Sequence, residues 1–407
     1  MTGIRGSFLF CRERTFRAGK HKDDRWIAPP AGSFLSTTHS RSTQKLFSAG
    51  SKYYDTVAYG QLSGTWEWTF TLDYDYIEPL LLVFEGAEVT TVTDEKTKAV
   101  TSTYKFYKSN NLKVPSFCMR RKVLNDLTTG FEKQVRDEME EYYGCVVKTA
   151  RFSRAGGSSQ VSVTLNGFYC DEQMTLDNYD STDYQEYMGE IVEFSCMFIG
   201  SVSNDNYVAN TESITLGIEN SAAAIYTTCT PFAKDYCEGQ TSYTFGTTCY
   251  SDDPDRYKTR VYGGGQPVTP RSSTKITVSP KAKRMKPIPA INIISYTSEM
   301  DDDDFANTAD PIANVYASSD KSAVMTLEDV TIKSLTWQKG DGSKLQDQIN
   351  STEFRKFSMS IKNHLGLDIE DSDEGKSIWG KDNPHALKES GDTDAGGTGD
   401  QEDESQS

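Results

Sequence analysis

The stretch TWEWTFTLDYDYIEPLLLVFEG, from Thr65 to Gly86, decides the fold class. Its first half alternates large apolar residues with polar ones. That period of two predicts a β-strand with one face in a core and the other in water. The apolar face carries Trp66, Trp68, Phe70 and Leu72, and the polar face carries Thr65, Glu67, Thr69 and Thr71.

The second half of the stretch, residues 75–86, changes period and predicts a short α-helix laid on the sheet. Asp75 is a capping-type residue, Glu78 follows three positions later, and Pro79 falls in the first turn. Gly86 then ends the helix. Its apolar face would carry Leu80, Leu81, Val83 and Phe84.

Composition favours sheets over helical bundles across the chain of 407 residues. Aromatic residues make up 11%, including 22 Tyr and 19 Phe. A hairpin is predicted where ARFSR and QVSVTLNGFY flank Gly156–Gly157, with Val161, Val163 and Leu165 on one face. Further strands are predicted in GEIVEFSCMFIGSV, TESITLGIENS, TSYTFGTTCYS, STKITVSP and LEDVTIKSLTWQKGDG. The expected fold is mainly β.

A second helix is predicted over residues 130–143, GFEKQVRDEMEEYY. Phe131, Val135 and Met139 recur every four residues with charges between them, which is an amphipathic helical spacing.

Charge divides the chain into three parts. Residues 1–50 carry about +6 and are predicted to be an extended basic arm, residues 51–365 carry about −12 and form the β domain, and residues 366–407 carry about −10. The last part is rich in Asp, Glu, Gly and Ser and is predicted to be a disordered acidic tail. Residues 266–312 are a possible long insertion or loop. An acidic body lacks the phosphate-neutralising charge of sequence-specific nucleic-acid binding.

No catalytic, cofactor-binding or metal-binding residue stands out, and the chain is predicted not to be an enzyme. The four histidines, His21, His39, His364 and His385, lie in the arm, at the end of the body or in the tail. Nucleotide-binding, zinc-protease and nucleophile-elbow motifs are absent. Paired carboxylates for glycoside hydrolysis stay open, because a sequence does not give their separation.

Three other segments have weak ligand-binding interpretations. Asp301–Asp304 lacks the spacing of a calcium loop, and so does the run from Asp177, whose twelfth position is Met188. Gly263–Gly265 has no helix after it to form a phosphate site, so a flexible turn is the simpler interpretation. We expect no cofactor and no metal.

The eight cysteines are scattered without a CxxC pair, and no signal peptide or long apolar run is present. The simplest interpretation is small buried hydrophobic residues on strands, in a protein assembled inside a cell. A zinc or disulfide framework is the alternative. The eight are Cys11, Cys118, Cys145, Cys170, Cys196, Cys229, Cys237 and Cys249.

Several short motifs follow one another in a particular order over roughly residues 55–250. A G-S-W-E-W type strand enters a short helix, and a P-S-F strand, a G-x-x-V hairpin strand, a strand ending in Asn and a G…G…T hairpin follow. The positions are Gly64–Trp68, Pro115–Phe117, Gly144–Val147, Ser213–Asn220 and Gly239–Thr248. This order resembles that of the major tail tube proteins of long-tailed bacteriophages.

This resemblance implies a tail-tube β-sandwich or barrel that forms hexameric rings, stacked into a hollow tube. The implied protein is a structural part of the virion, assembled in the host cytoplasm. Its partners would be copies of itself and the tail terminator, distal tail and tape measure proteins, with no membrane. Viral double-stranded DNA would pass through during genome ejection, and an electronegative lumen would let it slide.

A receptor- or carbohydrate-binding β-sandwich of a tail tip or adhesin is the alternative function. It would require exposed aromatic residues forming a platform. Trp66 and Trp68 discriminate between the two, because the tube interpretation buries both and the binding interpretation exposes at least one.

Overall fold

The structure is a computed structural model, which describes residues 8–30, 32–46, 49, 56–108, 113–124, 137–154, 160–176, 196–199, 211–251, 288–296, 321–339, 345–369 and 376–387. This part of the chain forms eighteen strands and one short helix, which confirms the mainly β prediction. The elements are β1 (Phe8–Arg12), β2 (Phe34–Leu46), β3 (Thr56–Thr71), α1 (Glu78–Leu81), β4 (Gly86–Thr93), β5 (Val100–Tyr107), β6 (Phe117–Leu124), β7 (Asp137–Arg154), β8 (Ser162–Tyr169), β9 (Asp171–Leu176), β10 (Cys196–Ile199), β11 (Thr211–Glu219), β12 (Ala223–Tyr226), β13 (Ala233–Cys237), β14 (Ser242–Ser251), β15 (Ile288–Tyr296), β16 (Ser322–Lys339), β17 (Leu345–Glu353) and β18 (Lys356–Asn363).

Antiparallel pairing joins sixteen of these strands into one network, whose main path runs β2-β3-β8-β7-β11-β14-β17-β16-β18-β5-β4. Two long strands, β7 and β16, each pair with one set of strands along their first half and with another along their second half. The first half of β7 pairs with β6 and β9, and its second half pairs with β8 and β11. Likewise β16 pairs first with β15 and β18 and then with β17. Strands β12 and β13 form a separate ribbon.

The alternation of β3 is confirmed, because Trp66, Trp68 and Phe70 are buried. Trp68 packs against Phe10 of β1, with ring centroids 4.9 Å apart. Trp66 meets the edge of Phe117 at 5.3 Å. Both indole N–H groups are hydrogen-bonded, and both indoles belong to one core cluster that also contains side chains of β7, β11, β16 and β18.

The predicted short helix is present as α1, with Pro79 in its first turn and Leu80 and Leu81 buried, but its predicted end at Gly86 is wrong, because Leu82 is the C-cap and Gly86 begins β4. The predicted capping role of Asp75 is wrong. Ile77 occupies the N-cap position and makes no side-chain capping bond. The Asp75 carboxylate instead pairs with Lys321 at 2.8 Å.

The predicted hairpin is confirmed by the pairing of β7 with β8, and its apolar face is buried. The second predicted helix is wrong over residues 137–143, which form the start of β7, while residues 130–136 lie outside the described residues. The physical reason is cross-strand charge pairing. Arg120 of β6 lies opposite Glu141 and contacts its carboxylate at 2.5 Å, and Arg121 lies opposite Glu140.

The predicted N-terminal arm is wrong over its described part, because residues 8–30 and 32–46 belong to the folded body. Phe8, Leu9, Phe10 and Cys11 of β1 are all buried, so this strand shows no alternation in the sequence. Strand β2 then pairs with β3 along its length. A strand whose successive residues are buried on both faces lacks polar alternation, so the sequence pattern does not reveal it.

The predicted disordered tail is wrong for residues 376–387, which pack on the body. Ile378 and Trp379 are buried, and Trp379 meets the Phe10 ring edge-on at 6.1 Å. The backbone N–H of Leu387 donates to the Trp26 carbonyl. Ile378 and Trp379 anchor this segment, whose sequence KSIWGKDNPHAL lacks the acidic excess of the whole tail, while residues 388–407 lie outside the described residues.

Part of the possible insertion 266–312 also belongs to the sheet, because β15 pairs with β10 and β16. The rest of that range, including Asp301–Asp304, lies outside the described residues. So do Gly263–Gly265, the acidic run 177–186 and the predicted strand STKITVSP.

Candidate functional site

Two strands end the main path of the sheet and present backbone without a second partner among the described residues. Strand β2 pairs with β3 alone, and β4 pairs with β5 alone. Each carries an exposed apolar side chain, Phe34 on β2 at 66% and Val92 on β4 at 62%. An edge strand with exposed backbone donors and acceptors is a template for pairing with another chain.

The β2–β3 hairpin extends beyond the rest of the sheet. Strand β3 pairs with β8 only from Gly64 to Thr71, whereas it pairs with β2 back to Thr56. Both faces of β2 from Ser40 to Lys45 are exposed. This ribbon therefore has a surface that its own chain leaves uncovered in the described residues.

A half-exposed polar cluster lies at the base of this hairpin. His39 Nδ1 is 2.6 Å from the Tyr169 hydroxyl and 2.8 Å from a Glu172 carboxylate oxygen. The Tyr142 hydroxyl donates to Glu140 at 2.6 Å. Burial, followed by the adjacent carboxylates, raises the pKa of both tyrosines, so both phenols stay protonated.

The Tyr169 ring of this cluster explains why position 64, in the G-S-W-E-W type motif, is a glycine. Gly64 lies opposite Tyr169 on β8, and the Tyr169 ring crosses over it. A Cβ at this position would be 1.8 Å from Tyr169 Cζ. Only glycine leaves room for the ring that hydrogen-bonds His39.

A second cluster is wholly buried and joins α1 to the C-terminal segment. His385 Nδ1 is 2.8 Å from Glu78 Oε1, and Asn383 donates to the same oxygen at 2.5 Å. Tyr76 stacks on the His385 ring at 3.7 Å. Removing one partner of a buried hydrogen bond leaves the other partner unsatisfied and costs stability, so the cluster holds the segment in place.

Asp73 lies beside this buried cluster and has an unusual protonation equilibrium. Burial, opposed by the hydrogen bond from the Asp75 N–H, raises its pKa from 3.8 to about 6. The Asp75 carboxylate adds to the rise, while His385 and Lys321 oppose it. A carboxyl with this pKa titrates in the mildly acidic range.

Four cysteines support the expectation of buried thiols on or beside strands, and Cys229 and Cys237 contradict it because they are exposed. Burial raises the pKa of the Cys170 thiol to about 12. Such thiols are protonated and poor nucleophiles. The four buried residues are Cys11, Cys118, Cys145 and Cys170.

Among the described residues, no group of three or more His, Cys, Asp and Glu side chains is arranged to hold a metal ion. No helix in that same part of the chain has the length and hydropathy of a membrane span.

Sequence reasoning missed both histidine clusters. It placed His39 in an arm and His385 in a tail, yet their partners Tyr169 and Glu78 lie 130 and 307 positions away. No local pattern could signal such contacts.

Neither the protein-family models nor the curated protein sequences give a match to this chain.

Proposed function

We propose that the protein is a structural virion protein, a bacteriophage tail tube subunit that assembles into hexameric rings stacked as a tube. The observation that carries the proposal is the pair of open sheet edges, β2 and β4, at opposite ends of one continuous strand path. The motif order around Gly64–Trp68 supports the same assignment.

Ring closure would use β2 of one copy against β4 of the next. The two edges are different surfaces, so their contact is head-to-tail, and head-to-tail contacts generate closed rings when the rotation between copies closes. Phe34 and Val92 would become buried in this contact, since exposed apolar side chains on an edge favour association.

Ring stacking would use the β2–β3 hairpin. It carries Arg41 and Lys45 on an exposed strand, in a chain whose net charge is −16. A basic ribbon is attracted to an acidic neighbouring ring, and the attraction orients the encounter. Arg14 and Arg17, also within residues 1–50, form ion pairs with Asp24 at 2.6 Å and with Asp171 at 2.5 Å.

The strongly negative charge suits a conduit for viral double-stranded DNA. An acidic lumen repels phosphates, which prevents the duplex from sticking during genome ejection. Localisation in the virion tail, after assembly in the host cytoplasm, belongs to the same proposal, and so does contact with the tail terminator, distal tail and tape measure proteins.

Receptor or carbohydrate binding has less support. Trp66 and Trp68 are buried, so they cannot form a stacking platform. The exposed large hydrophobic residues within the described ranges are Phe34, Val92 and Ile225, and only Phe34 among them is aromatic, so they do not make an aromatic platform for a sugar ring.

Sedimentation of the purified protein with edge variants tests the proposal. Phe34→Asp and Val92→Lys should each leave folding intact, because both side chains are exposed, and should shift large assemblies toward monomers. Ile225→Asp, at an exposed apolar position on the separate ribbon, is the matched control and should assemble normally. Unchanged assembly in both edge variants would refute the proposed contact.

A further inference from the structure

Three side chains that the proposed function does not use meet at the junction of two sections of the sheet. Lys108 directly follows β5, Asn220 directly follows β11, and Glu85 lies between α1 and β4. The Lys108 and Glu85 side chains are 9% and 5% exposed, and Asn220 is 1% exposed. An amine, a carboxamide and a carboxylate are therefore enclosed together.

The distances place the amine against the carboxamide. Lys108 Nζ donates to Asn220 Oδ1 at 2.7 Å and lies 3.5 Å from Glu85 Oε1. The carbonyl carbon Cγ is one bond beyond Oδ1, so the amine is positioned for attack with a small rotation.

The carboxamide is held from its other side. Asn220 Nδ2 donates to the Val147 carbonyl at 3.1 Å, and the Asn220 backbone N–H donates to the Lys148 carbonyl at 2.8 Å. These bonds fix which atom of the amide faces Lys108. The orientation leaves the oxygen toward the amine and the leaving nitrogen on the far side.

The surroundings also favour the reactive form of the amine. Burial lowers the pKa of Lys108, and the nearby carboxylates of Glu85 and Glu238 only partly oppose this. A desolvated, less basic lysine is a better nucleophile at neutral pH. A plain buried ion pair would require only Lys108 and Glu85, and it does not account for the aligned carboxamide.

We propose that Lys108 and Asn220 form an intramolecular isopeptide bond, with Glu85 relaying the proton. The chemistry is a modification of the folded chain and does not depend on the tail tube proposal.

The reaction balances without an added reagent. Glu85 accepts a proton from the Lys108 ammonium, and the Nζ lone pair attacks Asn220 Cγ. A second Nζ proton passes through the carboxylate to Nδ2, the Cγ–Nδ2 bond breaks, and ammonia leaves. The product is a secondary amide between Nζ and Cγ, and nothing is oxidised or reduced.

Such a bond would join the end of β5 to the end of β11. These strands belong to different sections of the sheet, separated along the main path by β14, β17, β16 and β18. A cross-link between distant positions restricts the unfolded chain, as a disulfide closing a long loop does. The expected consequence is slower unfolding.

Intact-mass spectrometry of the purified full chain is the test. The bonded protein should weigh about 17 Da less than its sequence, through loss of ammonia. A protease digest should contain a branched peptide linking Lys108 to Asn220. A full sequence mass with linear Lys108 and Asn220 peptides, in folded protein after prolonged incubation, would overturn the proposal without recourse to any variant.

Variants distinguish isopeptide bond formation from other reactions that release ammonia. Lys108→Arg and Glu85→Gln should restore the full mass, whereas Lys113→Arg, at a neighbouring lysine whose side chain is 55% exposed, should keep the bond. Asn220→Asp should bond with loss of water, about 18 Da. A mass loss that persists in Lys108→Arg would identify a succinimide at Asn220 and contradict the proposal.

Discussion

At the residue scale, Gly64 links the sequence motif to the polar cluster. Because a Cβ there would overlap the Tyr169 ring, we expect Gly64→Ala to displace the ring and break its hydrogen bond to His39. The free energy of unfolding should fall by about 1–3 kcal/mol, measured by urea denaturation. Gly217→Ala is the control, since its Cβ would meet mainly the rotatable Thr244 hydroxyl. Equal losses in the two variants would contradict this explanation.

Asp73 should make the protein less stable as pH rises. Burial raises its pKa from 3.8 to about 6, so the folded state binds more protons than the unfolded state between those values. The stabilisation is present below the lower value and is lost as pH rises through the upper one, about 2–3 kcal/mol in total. Asp73→Asn should remove this dependence in denaturation at several pH values, and exposed Asp382→Asn should retain it. An unchanged slope in Asp73→Asn would contradict the assignment.

His385 should be needed for stability because its ring hydrogen-bonds a wholly buried carboxyl group. His385→Ala removes the imidazole that lies 2.8 Å from Glu78 Oε1, and a buried polar atom that loses a partner costs about 1–3 kcal/mol. Glu78→Gln combined with His385→Ala should recover part of the loss, because a neutral amide is cheaper to bury than a carboxyl group that has lost its partner. Thermal unfolding of the single and double variants measures this. A double variant less stable than His385→Ala would argue against the unsatisfied Glu78 side chain as the cause.

Residue faces were predictable where a strand is half-buried. Alternation of apolar and polar residues indicates one buried face and one exposed face of a strand. It correctly predicts the burial of Trp66 and Trp68 on β3 and of Val163 and Leu165 on β8. His39 and His385 were not predictable, because their environments are made by residues far away in the chain.

At the element scale, the C-terminal segment is the clearest test of the packing. A chain ending at position 387 should fold normally, whereas one ending at 375 loses the buried side chains of Ile378 and Trp379 and the partner of Glu78. We expect the shorter chain to be several kcal/mol less stable or unfolded. Circular dichroism and protease resistance compare the two, and equal resistance would contradict the account.

The predicted second helix was wrong because a local helical pattern competes there with pairing between strands. Residues 137–143 have a helical spacing, yet β6 and β9 flank them on both sides. The Arg120–Glu141 contact stabilises the pairing of β6 with β7. Intrinsic helix propensity is too weak to outweigh such tertiary pairing. By contrast α1 was predictable, because Pro79 and its apolar run act locally.

At the scale of the whole molecule, charge distribution and topology have separate consequences. Some basic residues predicted to form an arm make ion pairs within the folded protein: Arg14–Asp24 lies inside residues 8–30, and Arg17–Asp171 ties these residues to the rest of the body. The path that runs from β2 to β4 remains open at both ends within the described residues. The surfaces left for assembly in the described residues are therefore the two edge strands and the β2–β3 hairpin.

Electron microscopy of the purified full chain at high concentration tests the assembly directly. Rings with sixfold symmetry and a central hole should appear, with β2 of each copy beside β4 of its neighbour in a reconstruction. Particles that stay single at every concentration, with both strand margins covered by their own chain, would contradict it.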